Sequence, residues 1–268
     1  MFLQKTINYW HYRLRECFFP NGCAVCGEAL LNTMDAFNGL CHKCRDSVLD
    51  ILKNEIRCQT CGKPLISEVD FCLSCREKNQ FSAMIVKMRS IFPYFGKSKT
   101  LLGSYKFLKN IALGNFFTFC LNFALADILL KLKKPEELSG AAWVPVPPRP
   151  GKIKKQGWDQ IDFLARLLKR EFNCLHTALS HKDPSLGNLH LLPVRRCLKR
   201  LPSRNQKELN REERNRNLKG RILCIKPPPK TAVLFDDVIT TGSTLNECAK
   251  ALLEGGAERV YAVCLFFD

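Results

Sequence analysis

The chain has 268 residues, 46% of them apolar, which is enough to bury a full core, leaves room for two domains and excludes a generally disordered protein. Its formal net charge of +17 is concentrated in residues 149–230, where 21 Lys and Arg stand against 7 Asp and Glu. Polyanions are therefore the expected partners, whether a diphosphate, a nucleic acid or both.

The opening MFLQKTINYWHYRLRE is aromatic and charged, without the sustained apolar run and small-residue cleavage site of a secretion signal. Residues 1–22 read as an amphipathic lead-in that packs on the neighbouring module. The most apolar stretch, 116–130, carries Asn122 and Asp127 and falls short of the ~20 residues of a spanning helix. A soluble, cytoplasmic protein with no membrane span is the expectation.

From Cys23 the chain repeats itself as four Cys-x-x-Cys pairs: Cys23/Cys26, Cys41/Cys44, Cys58/Cys61 and Cys72/Cys75. A two-residue spacer folds back and aims both sulfurs at one point, so each pair is half of a tetrahedral thiolate site. Gly27 and Gly62 follow the first and third pairs, as a zinc-knuckle turn prefers. Two structural zinc ions are expected, and sequential pairing closes loops of ribbon length in each half, although interleaved pairing satisfies the same spacing. Disulfides are the alternative, disfavoured in a chain without a secretion signal. Closed Cys₄ sites leave no open position for a substrate. The expected division is a double zinc ribbon over 1–80 and an α/β domain over 81–268.

Residues 76–140 bridge the two parts. Gly96-Lys97-Ser98 suggests a nucleotide-triphosphate loop, but that motif needs a glycine at position 91, which is Ile91. In AAWVPVPPRPGKIKKQG, Trp143, Val144 and Val146 predict a short strand ended by prolines. A cationic turn with Arg149, Lys152, Lys154 and Lys155 follows, and a helix begins near Asp159. Residues 174–194 read as a surface excursion whose His176, His181 and His190 have no metal or catalytic spacing. Residues 198–221, dense in Arg and Asn, fit a hood closing over a sugar diphosphate, a track for single-stranded DNA through Arg211, Arg214 and Arg216, or a solvated helix face.

The most specific stretch is TAVLFDDVITTGST, residues 231–244. Residues 232–235 are a continuous apolar run suited to a strand buried on both faces of a parallel sheet. Asp236 and Asp237 follow, then a hydroxyl-rich loop, then Leu245, Ala249, Leu252 and Leu253 at helical spacing. Gly242 lets the backbone turn its amides inward, Thr240, Thr241, Ser243 and Thr244 add hydroxyls, and the helix start adds a positive dipole end, a combination suited to a phosphate monoester. A helix cap by Ser243 or Thr244 beside a solvated acidic turn is the simpler alternative. Adjacent acids would repel a bare phosphate, so they call for sugar hydroxyls or Mg²⁺. The string closely resembles the phosphoribosyl pyrophosphate (PRPP) signature of type I phosphoribosyltransferases. That resemblance implies Asp236 and Asp237 facing the ribose hydroxyls, the loop at 240–244 holding the 5′-phosphate, and bound Mg²⁺-PRPP.

With the eight cysteines, VPVPPRPGKIKKQGWDQ and RNQKELNREERNRN in the same order, nearly the whole chain resembles the ComF family of competence proteins. The resemblance implies a double zinc ribbon, an open parallel sheet flanked by helices of the phosphoribosyltransferase type, and a link to the DNA-uptake machinery of natural transformation. Where the family usually shows Arg-Gly-Phe-Asn-Gln, this chain has Gln156-Gly157-Trp158-Asp159-Gln160. The lost arginine and asparagine bear on transferase turnover more than on ligand binding, and Lys154 and Lys155 stand ready to compensate.

Overall fold

A computed structural model describes residues 22–53, 56–65, 68–78, 84–130, 140–179, 192–202 and 218–268. In chain order the helices and strands are α1 (Thr33–Asn38), α2 (His42–Lys53), α3 (Leu73–Lys78), β1 (Lys87–Pro93), α4 (Gly96–Lys106), α5 (Leu113–Leu130) and β2 (Ala142–Pro145). They continue with α6 (Lys152–Gln156), α7 (Gln160–Leu179), β3 (Leu198–Arg200), β4 (Ile222–Cys224), β5 (Thr231–Ile239), α8 (Ser243–Glu254) and β6 (Arg259–Phe267). The chain forms two compact units, one from Met1–Lys53 with Phe95–Phe116, the other from Asn54–Tyr94 with Phe117–Asp268.

In the first unit, Asn32 caps α1 by accepting from the Met34 amide at 2.8 Å. Gly39, at φ 69°, closes α1 in the left-handed region. The turn returns the chain to α2, and the buried carboxylate of Asp35 lies 3.6 Å from Arg45. Leu40, Val48, Leu101, Tyr105 and Leu113 are nearly fully buried and form the apolar centre of this unit. Ser104 of α4 donates to the Ala24 carbonyl at 3.2 Å and so ties α4 to the first cysteine turn.

The second unit is built on a four-stranded parallel sheet in the order β1-β6-β5-β2. Its central strands are continuous apolar runs because both faces are covered: Val233, Leu234, Phe235 and residues 260–266 are essentially inaccessible. The register sets Ala142 opposite Ala232, Thr231 opposite Arg259 and Lys87 opposite Tyr261. The chain at 193–195 extends the free edge of β2, since Trp143 donates to the Pro193 carbonyl and Arg195 to that of Trp143, both at 2.8 Å. β3 and β4 form a separate antiparallel pair that packs on α8. The expected α/β fold with an open parallel sheet flanked by helices is present. Among the described residues, no helix is long and apolar enough to cross a membrane.

β5 is longer than the apolar run 232–235. Its ladder to β6 continues through Asp236 opposite Cys264 and Ile239 opposite Phe267, so both acids lie inside the strand. Backbone pairing on the β6 side outweighs the low strand preference of Asp.

Candidate anion site and metal centres

The eight cysteines gather into two clusters, Cys23, Cys26, Cys41, Cys44 and Cys58, Cys61, Cys72, Cys75, each with its sulfurs within 4.8 Å of one another. The two knuckles repeat one geometry. Gly27 (φ 78°) and Gly62 (φ 67°) take the left-handed conformation, and their amides donate to the carbonyls of Cys23 and Cys58, each at 2.9 Å. Bridges Gly22–Ala29 and Arg57–Pro64 close the two turns.

The electrostatics of the clusters call for a cation. Burial raises the Cys23 and Cys58 thiols, but amides of their own knuckles and of the facing pair outweigh it and bring both down to about 7. Burial and then the neighbouring sulfurs push Cys44 well above its ordinary value and Cys75 up to about 12. The raised thiols, Cys41 and Cys44 in one cluster and Cys61 and Cys75 in the other, ionise only against a positive charge, the condition a tetrahedral Zn²⁺ meets. Both are structural zinc sites.

The two clusters differ in surroundings. The second belongs to the buried core of its unit, with Met88, Val260, Ala262 and Leu252. Arg57 donates through Nη1 to the carbonyls of Gly62 (3.0 Å) and Ser90 (2.7 Å), and Ser90 Oγ donates to the Cys61 carbonyl at 3.0 Å. Edge strand β1 is thereby hydrogen-bonded directly to the metal knuckle.

The candidate anion site lies past the carboxyl ends of β2 and β5, the side of an open parallel sheet where ligands bind. Gly242, at φ 73°, is the N-cap of α8 and supplies no side chain to close the first turn. The Thr244 and Leu245 amides meet no acceptor among the described residues. Thr241 Oγ1 and Ser243 Oγ are 2.6 Å apart, Thr240 is exposed, and Thr241 and Thr244 are half-buried. The loop sets amide and hydroxyl donors at the positive end of a helix dipole, a chemistry suited to a phosphate.

The acids face different neighbours, because successive side chains of a strand point to opposite faces. Asp237, buried, accepts from Gln160 Nε2 at 2.6 Å on the α7 side. Asp236, half-buried, lies among Arg200, Cys248 and Cys264. Its Oδ1 also accepts from the Asp237 amide at 2.8 Å, which fixes its rotamer.

Of the four cations expected to face a diphosphate, Lys154 and Lys155 are exposed on the one-turn α6, and Arg149 is half-buried at the end of β2. Lys152 is committed inward, donating to Asp159 Oδ2 at 2.5 Å and to Gln160 Oε1 at 2.7 Å. Asp159 also caps α7, its Oδ1 accepting from the Ile161 and Asp162 amides at 3.0 and 2.9 Å. The acid at 159 thus serves as helix cap and lysine anchor.

Two site residues escaped sequence reasoning. Gln160 stands in a motif, but its contact with Asp237 spans 77 positions. Arg200, only 7% exposed, is held on β3 opposite Ile222. Burial and then Arg149 depress its ionisation, while Cys248 and Asp236 favour the charged form. The sequence Leu198-Lys199-Arg200 carries no local signal for it, since the arginine's burial is set by β4 and α8. Arg211, Arg214 and Arg216 lie outside the described residues.

This is an α/β protein with an open parallel sheet and two tetracysteine metal centres, and residues 14–78 match the family model described as double zinc ribbon domain. Over most of its length the chain is similar to competence proteins. It is 28% identical to Competence protein F of Haemophilus influenzae, covering 91% of this chain and 95% of that protein. It is also 28% identical to Competence protein ComFC of Streptococcus pneumoniae, covering 89% and 96%. The likeness to the ComF family read from the motifs is thus matched by relatives carrying that name. A 35-residue segment, 13% of this chain and 11% of the relative, is 54% identical to the ribose-phosphate pyrophosphokinase of Oceanobacillus iheyensis.

Proposed function

We propose that this chain binds Mg²⁺-PRPP and acts in DNA uptake, as the names of its competence relatives suggest. The observation that carries the reading is the order strand, paired acids, hydroxyl loop and glycine-capped helix, from β5 to α8. The 5′-phosphate sits on the amides and hydroxyls of residues 240–244, the ribose hydroxyls meet Asp236 and Asp237, and the diphosphate lies toward Arg149, Lys154 and Lys155. Mg²⁺ bound with the diphosphate offsets its charge beside the acids. The short, strong likeness to an enzyme named for ribose phosphate and diphosphate supports this ligand.

Such a layout serves a transfer in which an acceptor's lone pair bonds to the anomeric carbon, the carbon–oxygen bond to diphosphate breaks, and diphosphate leaves with the electron pair. The acceptor's proton passes to solvent. The acids stabilise the cationic sugar of the transition state electrostatically. Calorimetric titration tests the ligand: the wild type binds PRPP only with Mg²⁺, and Asp236→Asn/Asp237→Asn loses at least about tenfold in affinity, as expected for two charge-assisted contacts. Absence of binding by the wild type, or equal binding by the variant, rejects the reading.

The excess charge of residues 149–230 supports single-stranded DNA as a second partner of the same chain. Neutralising Arg211, Arg214 and Arg216 is expected to weaken DNA binding and flatten its salt dependence. An unchanged salt slope removes these residues from the interface.

A further inference from the structure

We infer that Gln160 is a positioning residue that couples the cationic loop after β2 to the orientation of Asp237. The inference rests on the PRPP reading and extends it to a residue that acts through Asp237. Gln160 is 4% exposed and stands at the first turn of α7, where one face meets α6 and the other the end of β5. Its amide is used at both ends: Oε1 accepts from Lys152 Nζ at 2.7 Å, and Nε2 donates to Asp237 Oδ2 at 2.6 Å.

The direction of this relay follows from chemistry alone. An ammonium group can only donate, so the amide oxygen must face Lys152. The amide nitrogen must then face Asp237, which accepts as a carboxylate. Lys152 is steadied in turn by Asp159, whose other oxygen caps α7. Cation, amide and acid form one connected line from the loop expected to meet the diphosphate to the acid expected to meet the ribose. A shift of Lys152 as diphosphate arrives is felt at Asp237 through a single side chain. Asp237 Oδ1 is held from its own strand by the Val238 amide at 2.9 Å, and Gln160 holds the other oxygen from the helix side.

The test uses two variants of the full, zinc-loaded chain, with Mg²⁺-PRPP affinity measured by calorimetry across pH. Gln160→Met keeps the volume and removes both hydrogen bonds. It is expected to weaken binding by about tenfold, the size of one hydrogen bond to a charged group, and by the same factor at every pH. Gln160→Glu is isosteric. Ionised, it faces Asp237 with a like charge; protonated, it restores an O–H donor toward Asp237 and a carbonyl toward Lys152.

Its deficit relative to the wild type should therefore be about tenfold or more at pH 8.5 and shrink to within about twofold near pH 6, because one proton is shared by the two carboxyls. A merely structural role gives no such recovery, and zinc content with thermal unfolding establishes that each variant is folded. Wild-type affinity in Gln160→Met, or a Gln160→Glu deficit that does not change with pH, overturns the inference while leaving PRPP binding intact. Should Gln160→Met not fold, the pH profile of Gln160→Glu decides alone. A wild type that binds no Mg²⁺-PRPP overturns the underlying reading and this one with it, and is recognised before any variant is made.

Discussion

The two zinc knuckles offer a controlled experiment, since the same glycine occupies the same left-handed conformation in different surroundings. At Gly27 (φ 78°) a Cβ would meet nothing within 4 Å, so Gly27→Ala carries only the backbone cost of a left-handed L-residue, about 1–2 kcal/mol. At Gly62 (φ 67°) the same atom would lie 2.5 Å from the Met88 carbonyl oxygen, 2.6 Å from Arg89 Cα and 3.0 Å from the Ser90 amide nitrogen. All three belong to the backbone of β1, which cannot yield as a flexible side chain can. Relief requires the edge strand to draw away from the knuckle, with loss of the Arg57–Ser90 and Ser90–Cys61 bonds. At about 1–1.5 kcal/mol for each bond, on top of the conformational term, Gly62→Ala should cost roughly 4 kcal/mol or more. In thermal unfolding followed by zinc release to a colorimetric chelator, Gly27→Ala should lower the midpoint by a few degrees, roughly 2–4 °C per kcal/mol. Gly62→Ala should lower it by three times as much and release one zinc early. Equal shifts for the two variants would refute the claim that the second knuckle is built against the sheet.

Two further outcomes follow from the second unit. Asp159→Asn keeps a side-chain oxygen for the Ile161 and Asp162 amides but turns an amide donor toward Lys152, so it retains the cap and loses the anchor; Asp159→Ala loses both and should melt about 2–4 °C below Asp159→Asn, the size of a cap worth about 1 kcal/mol. Equal melting of the two variants would exclude the capping role. Glu171 of α7 accepts from Thr118 Oγ1 at 2.8 Å and Asn122 Nδ2 at 3.1 Å, and burial raises its carboxyl above the ordinary 4.5 in spite of these donors. A raised folded-state value means that the protonated form contributes stability fully below 4.5, and that this contribution is lost as pH climbs through the folded value. Glu171→Gln should therefore be more stable than the wild type at pH 8, with the difference shrinking toward pH 5; denaturant unfolding at the two pH values measures it, and an advantage that grows on acidification contradicts the assignment.

The parts of the molecule legible in the sequence are those encoded by near neighbours. Spacing alone predicted four half-sites for metal, and ordering alone predicted strand, acids, loop and helix from 231 to 254. What could not be read depended on partners far along the chain. The extension of β5 through Asp236 and Asp237 comes from β6, whose backbone pairs beyond the apolar run. The inward commitment of Lys152 reflects Asp159 and Gln160 across a glycine turn, where composition counted only another cation in a basic loop. Arg200 sits in a segment so rich in arginine that nothing local marked one of them as buried beside Asp236.

The order β1-β6-β5-β2 has a consequence for the nascent polypeptide. β1 spans residues 87–93 and, among the described residues, its ladder partner is β6, at 259–267. Until the ribosome has delivered β6, the first strand and the cysteine turn braced against it wait with apolar surface uncovered, the situation in which slow, long-range pairing invites aggregation. Early capture of zinc by the second ribbon would hold that strand's anchor in shape through the delay. Metal supply during synthesis should therefore govern how much of this protein reaches the folded state.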